Sequence, residues 1–237
     1  MRNRIVILMA VAVLMITACK RRPEQDKNVI DKPNIEIKDG KLSPEALWSF
    51  GRIGEVSVSP DGKKVLYTLT YYSISENKGH AEIYTMNIDG SDVQRLTTTA
   101  SSEWNVIWNP KGDKIGFIYA DENGVNIYEM NPDGTGRKAI SDLKEGDLEG
   151  FSYSPDGTKV VYVRAVPKQD KYAKLKEGLD KTTGRINDDL AYRHWDNWVD
   201  AIPQPFVADF DGKKIGEGKN ILENTEFESP MRPWGGM

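Results

Sequence analysis

Val56-Ser57-Val58-Ser59-Pro60-Asp61-Gly62-Lys63-Lys64-Val65-Leu66-Tyr67 recurs without a gap as Val106-Ile107-Trp108-Asn109-Pro110-Lys111-Gly112-Asp113-Lys114-Ile115-Gly116-Phe117. It recurs again as Phe151-Ser152-Tyr153-Ser154-Pro155-Asp156-Gly157-Thr158-Lys159-Val160-Val161-Tyr162. Proline presets φ at about −65° for the first turn position, and glycine tolerates the positive φ that closes the turn. Apolar residues alternate on either side: Val56 and Val58 before the first turn, Val65, Tyr67 and Leu69 after it. A period of two marks strands with one buried face, so each copy reads as a β-hairpin.

Downstream of each hairpin a second element repeats. Ile83-Tyr84-Thr85-Met86-Asn87-Ile88-Asp89-Gly90 matches Ile127-Tyr128-Glu129-Met130-Asn131-Pro132-Asp133-Gly134, and Phe206-Val207-Ala208-Asp209-Phe210-Asp211-Gly212 is the third copy. Each reads as a third strand, a tight turn and a short fourth strand, such as Arg95-Leu96-Thr97 or Ala139-Ile140-Ser141. Four strands repeated about every 45 residues are the pattern of a β-propeller blade. A two-sheet sandwich also has short strands, but it does not repeat its turn residues in register. The expected fold is all-β: an incomplete propeller of about three four-stranded blades (about 50–100, 101–145 and 146–225) and the start of a fourth (226–237). The third blade carries about thirty extra residues between its second and third strands, an inserted arm at 167–199. Insertions this long in a compact domain are usually functional or disordered.

Propellers close at about four to eight blades, so three blades and a stub leave bare strand edges. The residues from 47 to 237 are therefore expected to be the front portion of a longer protein. At the other end, Arg2 and Arg4 precede an apolar run, Ile5 to Ile16, too short to span a membrane but suited to a secretory signal. The run ends in Ile16-Thr17-Ala18-Cys19, which resembles a bacterial lipobox and uses the chain's one cysteine. Residues 1–18 are thus expected to be a signal peptide, Cys19 the lipidation site, and 19–46, with Pro23, Pro33 and Pro44, a tether. Lys20-Arg21-Arg22 would lie beside anionic headgroups. The expected location is the cell envelope of a bacterium, outside the cytoplasm.

The 237 residues carry 32 basic and 36 acidic side chains, so no basic excess draws the chain to nucleic acid. One cysteine and two histidines are too few for a disulfide framework or a Cys/His zinc site, and no cofactor or metal is expected.

The Ser-Pro-Asp-Gly hairpins, the insertion and the segment Tyr192-Arg193-His194-Trp195-Asp196-Asn197-Trp198-Val199-Asp200 together resemble the N-terminal propeller of prolyl-oligopeptidase-family serine peptidases. The resemblance covers about residues 41–237 and is nearest to the dipeptidyl-peptidase-V and acylaminoacyl-peptidase branch. The hairpins alone are less specific, because TolB-type propellers share them. The resemblance implies a propeller that caps a C-terminal α/β-hydrolase domain, filters peptides by size and helps to hold them. It places the catalytic serine, aspartate and histidine in that other domain. No Gly-x-Ser-x-Gly elbow occurs in the chain. Gly150-Phe151-Ser152-Tyr153-Ser154 lacks the last glycine, and Ser152 sits at a strand position of the repeat. The chain by itself is expected to be non-catalytic. A non-enzymatic envelope propeller that binds a protein partner is the alternative.

The arm has two readings. Tyr192, Trp195 and Val199 fall at helical spacing, so it reads as a short amphipathic helix or an extended cover, with His194 a structural hydrogen-bonder and Arg193–Asp196 a local ion pair. The resemblance implies instead that Arg193, His194, Trp195 and Asp196 bind substrate. Asp196 would meet a peptide's amino terminus, and Arg193 a carbonyl or carboxylate. Lys168, Lys171, Lys174 and Lys176 read as a solvated face, His80 as a loop residue, and Glu145, Asp147 and Glu149 as loop chemistry without a metal.

Overall fold

All three Pro-x-Gly turns join strands in the same way. Gly62, Gly112 and Gly157 hold φ of +71°, +74° and +68°, and each N–H donates to the carbonyl three residues earlier, at 2.8, 3.0 and 2.8 Å. Side chains close the turns further: Ser59 and Ser154 Oγ donate to Asp61 and Asp156 and accept from the Lys64 and Lys159 amides. Asn109 takes the same place in the middle copy, its Oδ1 accepting from the Asp113 and Lys114 amides. These turns belong to a computed structural model that describes residues 29–37, 39–143, 147–168, 172–178, 181–184, 186, 193, 194 and 197–229.

Three four-stranded antiparallel sheets follow one another along the chain. The first holds β1 (Arg52–Val58), β2 (Lys64–Ser73), β3 (Lys78–Asn87) and β4 (Gln94–Arg95), and the second β5 (Glu103–Trp108), β6 (Ile115–Asp121), β7 (Gly124–Met130) and β8 (Lys138–Ala139). The third holds β9 (Leu148–Tyr153), β10 (Lys159–Pro167), β13 (Ala201–Asp209) and β14 (Lys219–Asn220). A separate two-stranded hairpin, β11 (Arg193–His194) with β12 (Asn197–Trp198), lies within the insertion. The strands of each sheet lie side by side in chain order. One short helix, α1 (Pro44–Ser49), precedes the first sheet and is capped by Ser43 Oγ, which accepts from the Ala46 amide.

Directly paired residues share a face, so the registers show which side of each sheet is covered. One side of the second sheet, with Val106, Trp108, Phe117 and Tyr128, packs on Leu66 and Ile83 of the first. Its other side, with Ile118 and Ile127, packs on Phe151, Val160, Tyr162 and Ala208 of the third. Two apolar seams, not one central core, hold the three sheets. Full burial of a side chain such as Phe117 contributes about 1.5–3 kcal/mol.

Two expectations change here. Val56 and Val58, read as facing a core, are exposed, because among the described residues no sheet packs on that side of β1. The stretch read as a tether makes contacts from residue 30 onward: Ile30 and Ala46 are buried, and Asp31 pairs with Arg95 of β4.

The second turns supply a test. Gly90 and Gly134 share φ of +84° and +81°, yet a Cβ on Gly90 meets nothing within 4 Å, whereas one on Gly134 would lie 2.7 Å from the Leu96 carbonyl oxygen. Gly90→Ala is expected to cost about 1 kcal/mol through backbone strain alone. Gly134→Ala is expected to cost about 2–3 kcal/mol, because the first sheet's backbone must also yield. Urea unfolding of both variants measures the difference, and equal losses would contradict the close approach of the second turn to Leu96.

Candidate functional site

The insertion is an outgrowth of the β10–β13 hairpin. These strands pair without interruption from Lys159↔Asp209 to Pro167↔Ala201, and the Lys168 amide then donates to the Asp200 carbonyl at 2.8 Å. The arm therefore leaves from a rigid ladder, at the end of the sheets where the other second and third strands join by short links. Within it, Arg193 pairs with Trp198 and His194 with Asn197. Of the two shapes read for this segment, a short helix or an extended cover, the described pairing is the extended one. Tyr192, Trp195 and Asp196 lie outside the described residues, as does the proposed lipidation site Cys19. For Arg193 and His194 the structure describes the backbone pairing. A single 3-10 turn, Ala173–Lys176, occupies the early part of the arm, and Lys174 is exposed as expected of a solvated face.

The same end of the first sheet carries an aromatic cluster. Trp48 of α1 meets Tyr72 edge to face at 5.2 Å, and the Arg52 guanidinium lies 4.8 Å from both rings. Beside it a cleft of about 360 Å³ is lined by Ile30, Ile35, Trp48, Tyr72 and Ile74.

Polar side chains fix the sheets in register, and the sequence reading missed them. Glu55 Oε2 accepts from the Val106 amide at 2.8 Å. At the equivalent position of the second sheet, Asn105 accepts from the Phe151 amide at 2.9 Å and donates to its carbonyl at 3.0 Å. A second set sits eight residues before the turn glycines Gly90, Gly134 and Gly212. Glu82 accepts from the Thr99 amide, Asn126 from the Leu143 amide, and Gln204 donates to the Thr225 and Phe227 carbonyls. All three are buried, and each ties a third strand to the link that follows its sheet. The signal was available: a polar residue at one fixed place beside each repeated strand.

Burial shapes the chemistry of the first seam. Glu103 is fully covered, accepts from Thr97 and Thr99 hydroxyls, and lies 3.3 Å from Arg137. Burial, with the nearby Glu82 charge, pushes its carboxyl up to about 8. Arg137 also stacks 3.9 Å from the Tyr119 ring centre. In the second seam, burial raises Glu129, while the Tyr153 hydroxyl donates to it at 2.8 Å and opposes that shift.

Other sequence candidates fall as follows. Ser152 lies on β9 as a strand residue. His80, read as a loop residue, lies within β3 opposite Tyr71. Glu145 is outside the described residues. Among the described residues no group of three His, Cys, Asp or Glu side chains is placed to hold a metal ion.

Four-stranded meanders stacked face on face, each tied to the next at one repeat position, define an arc of a β-propeller. The chain belongs to the family described as the TolB beta propeller domain, which matches residues 42–195. It is 37% identical to dipeptidyl-peptidase 5 of Porphyromonas gingivalis over 196 residues, 83% of this chain and 28% of that protein. Dipeptidyl-peptidase 5 of Porphyromonas endodontalis is 34% identical over 81% of this chain and 28% of its own length. The chain thus spans little more than a quarter of these curated relatives. Among solved structures, Pyrococcus horikoshii acylaminoacyl peptidase superposes with a TM-score of 0.54 at 16% identity, covering 73% of this chain and 25% of that one, a likeness of fold.

The Glu103 carboxyl binds its proton more tightly folded than unfolded, where its ordinary value is 4.5. Its contribution to stability is therefore complete below about 4.5 and is lost as pH rises toward about 8. Glu103→Gln is expected to flatten that decline. Urea midpoints at pH 5 and pH 8 test this, and an unchanged slope in the variant would count against a protonated carboxyl in the seam.

Proposed function

We propose that these residues form leading blades of the propeller of an exported serine peptidase that releases dipeptides, with acylaminoacyl release the nearest related activity. The propeller gates the peptide and helps to hold it, and an α/β-hydrolase domain elsewhere in a longer protein supplies the nucleophile. The observation that carries this reading is the 37% identity to a dipeptidyl-peptidase over 83% of the chain. The arm supports it physically, because a long insertion here leaves and rejoins an unbroken β10–β13 ladder at one end of the blades. In this reading Arg193 meets a carbonyl or carboxylate of the peptide, Asp196 its amino terminus, and His194 and Trp195 complete the wall. The lipobox-like Ile16-Thr17-Ala18-Cys19 supports anchoring of the protein to a membrane of the cell envelope.

The 237-residue chain is expected to leave dipeptidyl-naphthylamides intact, while a longer product that includes a hydrolase domain cleaves them. In that product Arg193→Ala is expected to raise KM about tenfold with little change in kcat, the effect of losing a charge-assisted contact present in both ground and transition states. Unchanged kinetics would remove Arg193 from the site. A product with more blades and no hydrolase domain would favour the partner-binding propeller. Cys19→Ser is expected to move the protein from the membrane to the soluble fraction, and retention in the membrane would refute the anchor.

A further inference from the structure

The β2–β3 hairpin runs further than its counterpart in the second sheet. Counted from the matching pairs Tyr67↔Tyr84 and Phe117↔Tyr128, the first hairpin ends at Ser73↔Lys78 and the second at Asp121↔Gly124. The added pairs are Tyr72↔Gly79 and Ser73↔Lys78. Gly79 makes room for the Tyr72 ring, since a Cβ there would lie 2.6 Å from it. The ring rests across Gly79 and meets Trp48 of α1 edge to face. Hairpin, helix and the stretch 29–35 together wall the cleft of about 360 Å³, and its whole lining lies within residues 29–76. Its shape therefore does not depend on what packs against the outer sheets.

The chemistry of the cleft is one-sided. Trp48, Tyr72 and Ile74 give it apolar surface, and Asp31, Glu45 and Glu76 give it carboxylates. Among the described residues no Lys, Arg or His lines it. Two guanidinium groups beside it are already engaged, Arg95 on Asp31 and Arg52 against the Trp48 and Tyr72 rings. No ion pair among the described residues involves Glu45 or Glu76. Hydrogen bonds from its own amide and from the Ser43 side chain hold the Glu45 carboxyl below its ordinary value, so it is charged at neutral pH.

We propose that this cleft takes an arginine or lysine side chain of the bound peptide, at a residue beyond the released dipeptide. Apolar walls suit the side chain's methylene stem, and the carboxylates suit its charged head. Arginine fits best, because its flat guanidinium also lies well against aromatic rings. The volume is at the small end of ligand clefts and leaves room for the backbone that carries the side chain. The cleft opens at the end of the blades from which the arm leaves, so one extended peptide can meet both. That the ligand is a peptide rests on the proposed function; that it is a cation on an apolar stem rests on the cleft alone.

Calorimetric titration with acetyl-Gly-Gly-Arg-Gly-Gly-amide, on the full chain and on a longer product that includes a hydrolase domain, reads the contact without cleavage. Replacing arginine by citrulline, which keeps the shape and removes the charge, is expected to weaken binding about tenfold. Glu76→Gln, in an exposed turn, is expected to weaken the arginine peptide about fivefold and to leave the citrulline peptide unchanged. Gly79→Ala, which displaces the Tyr72 ring, should weaken both. Glu122→Gln, in the matching turn of the second sheet, should change neither. Equal binding of the two peptides, or no effect of Glu76→Gln, would overturn the proposal. Agmatine bound as tightly as the arginine peptide would assign the cleft to a free amine and overturn it as well. So would binding by the 237-residue chain alone, since another domain would then fill the cleft. A negative titration leaves dipeptide release standing, and a longer product that binds the peptide but cleaves no dipeptidyl-naphthylamide refutes only that release.

Discussion

A four-stranded sheet with apolar side chains on both faces cannot stand alone in water, and everything in this chain answers to that constraint. Each hairpin copy makes a sheet whose one side suits the opposite side of the next. The second sheet has both sides covered and holds the larger share of the fully buried large apolar side chains, among them Phe117, Ile118, Ile127 and Met130. The outer two have one side covered. Stability in such an array is set by neighbours rather than by a central core.

Apolar faces alone would let the sheets slide, and the polar side chains remove that freedom. Glu55 and Asn105 join each first strand to the next at one residue, and Glu82, Asn126 and Gln204 bind the links between sheets. A buried hydrogen bond left unmade costs about 1–3 kcal/mol, so a slipped register is penalised twice, in packing and in polar groups. The rigid arc is what allows the β10–β13 ladder to project a long arm from a fixed place. Rigid mounting would suit the peptide-holding role proposed for the arm, because positioning is lost when its support moves.

The repeat was legible in the sequence because turn chemistry is local. Proline before a glycine of positive φ requires no knowledge of neighbours, and the sheets stand where the hairpins placed them. The fate of Val56 and Val58 was not legible, since alternation marks an apolar face without saying whether a second sheet arrives to cover it. The clamps were missed for a related reason: Asn105 looks like an interruption of a strand until Phe151, far along the chain, is seen beside it. The segment around Arg193 and His194 was left between a helix and an extended cover, because local spacing could not tell that these residues pair with Trp198 and Asn197. Glu103 shows the remaining limit. Nothing around it in sequence indicates that Glu82 and two arginines converge on the same seam.

Native-state hydrogen exchange tests most directly the claim that seams between sheets hold the structure. Amides of β6 and β7, in the sheet covered on both sides, are expected to exchange slowest, and those of β1, open on one side, faster than their counterparts in β5. Protection in β1 equal to that in β5 and β6 would contradict the account, since an uncovered face would then cost the fold nothing.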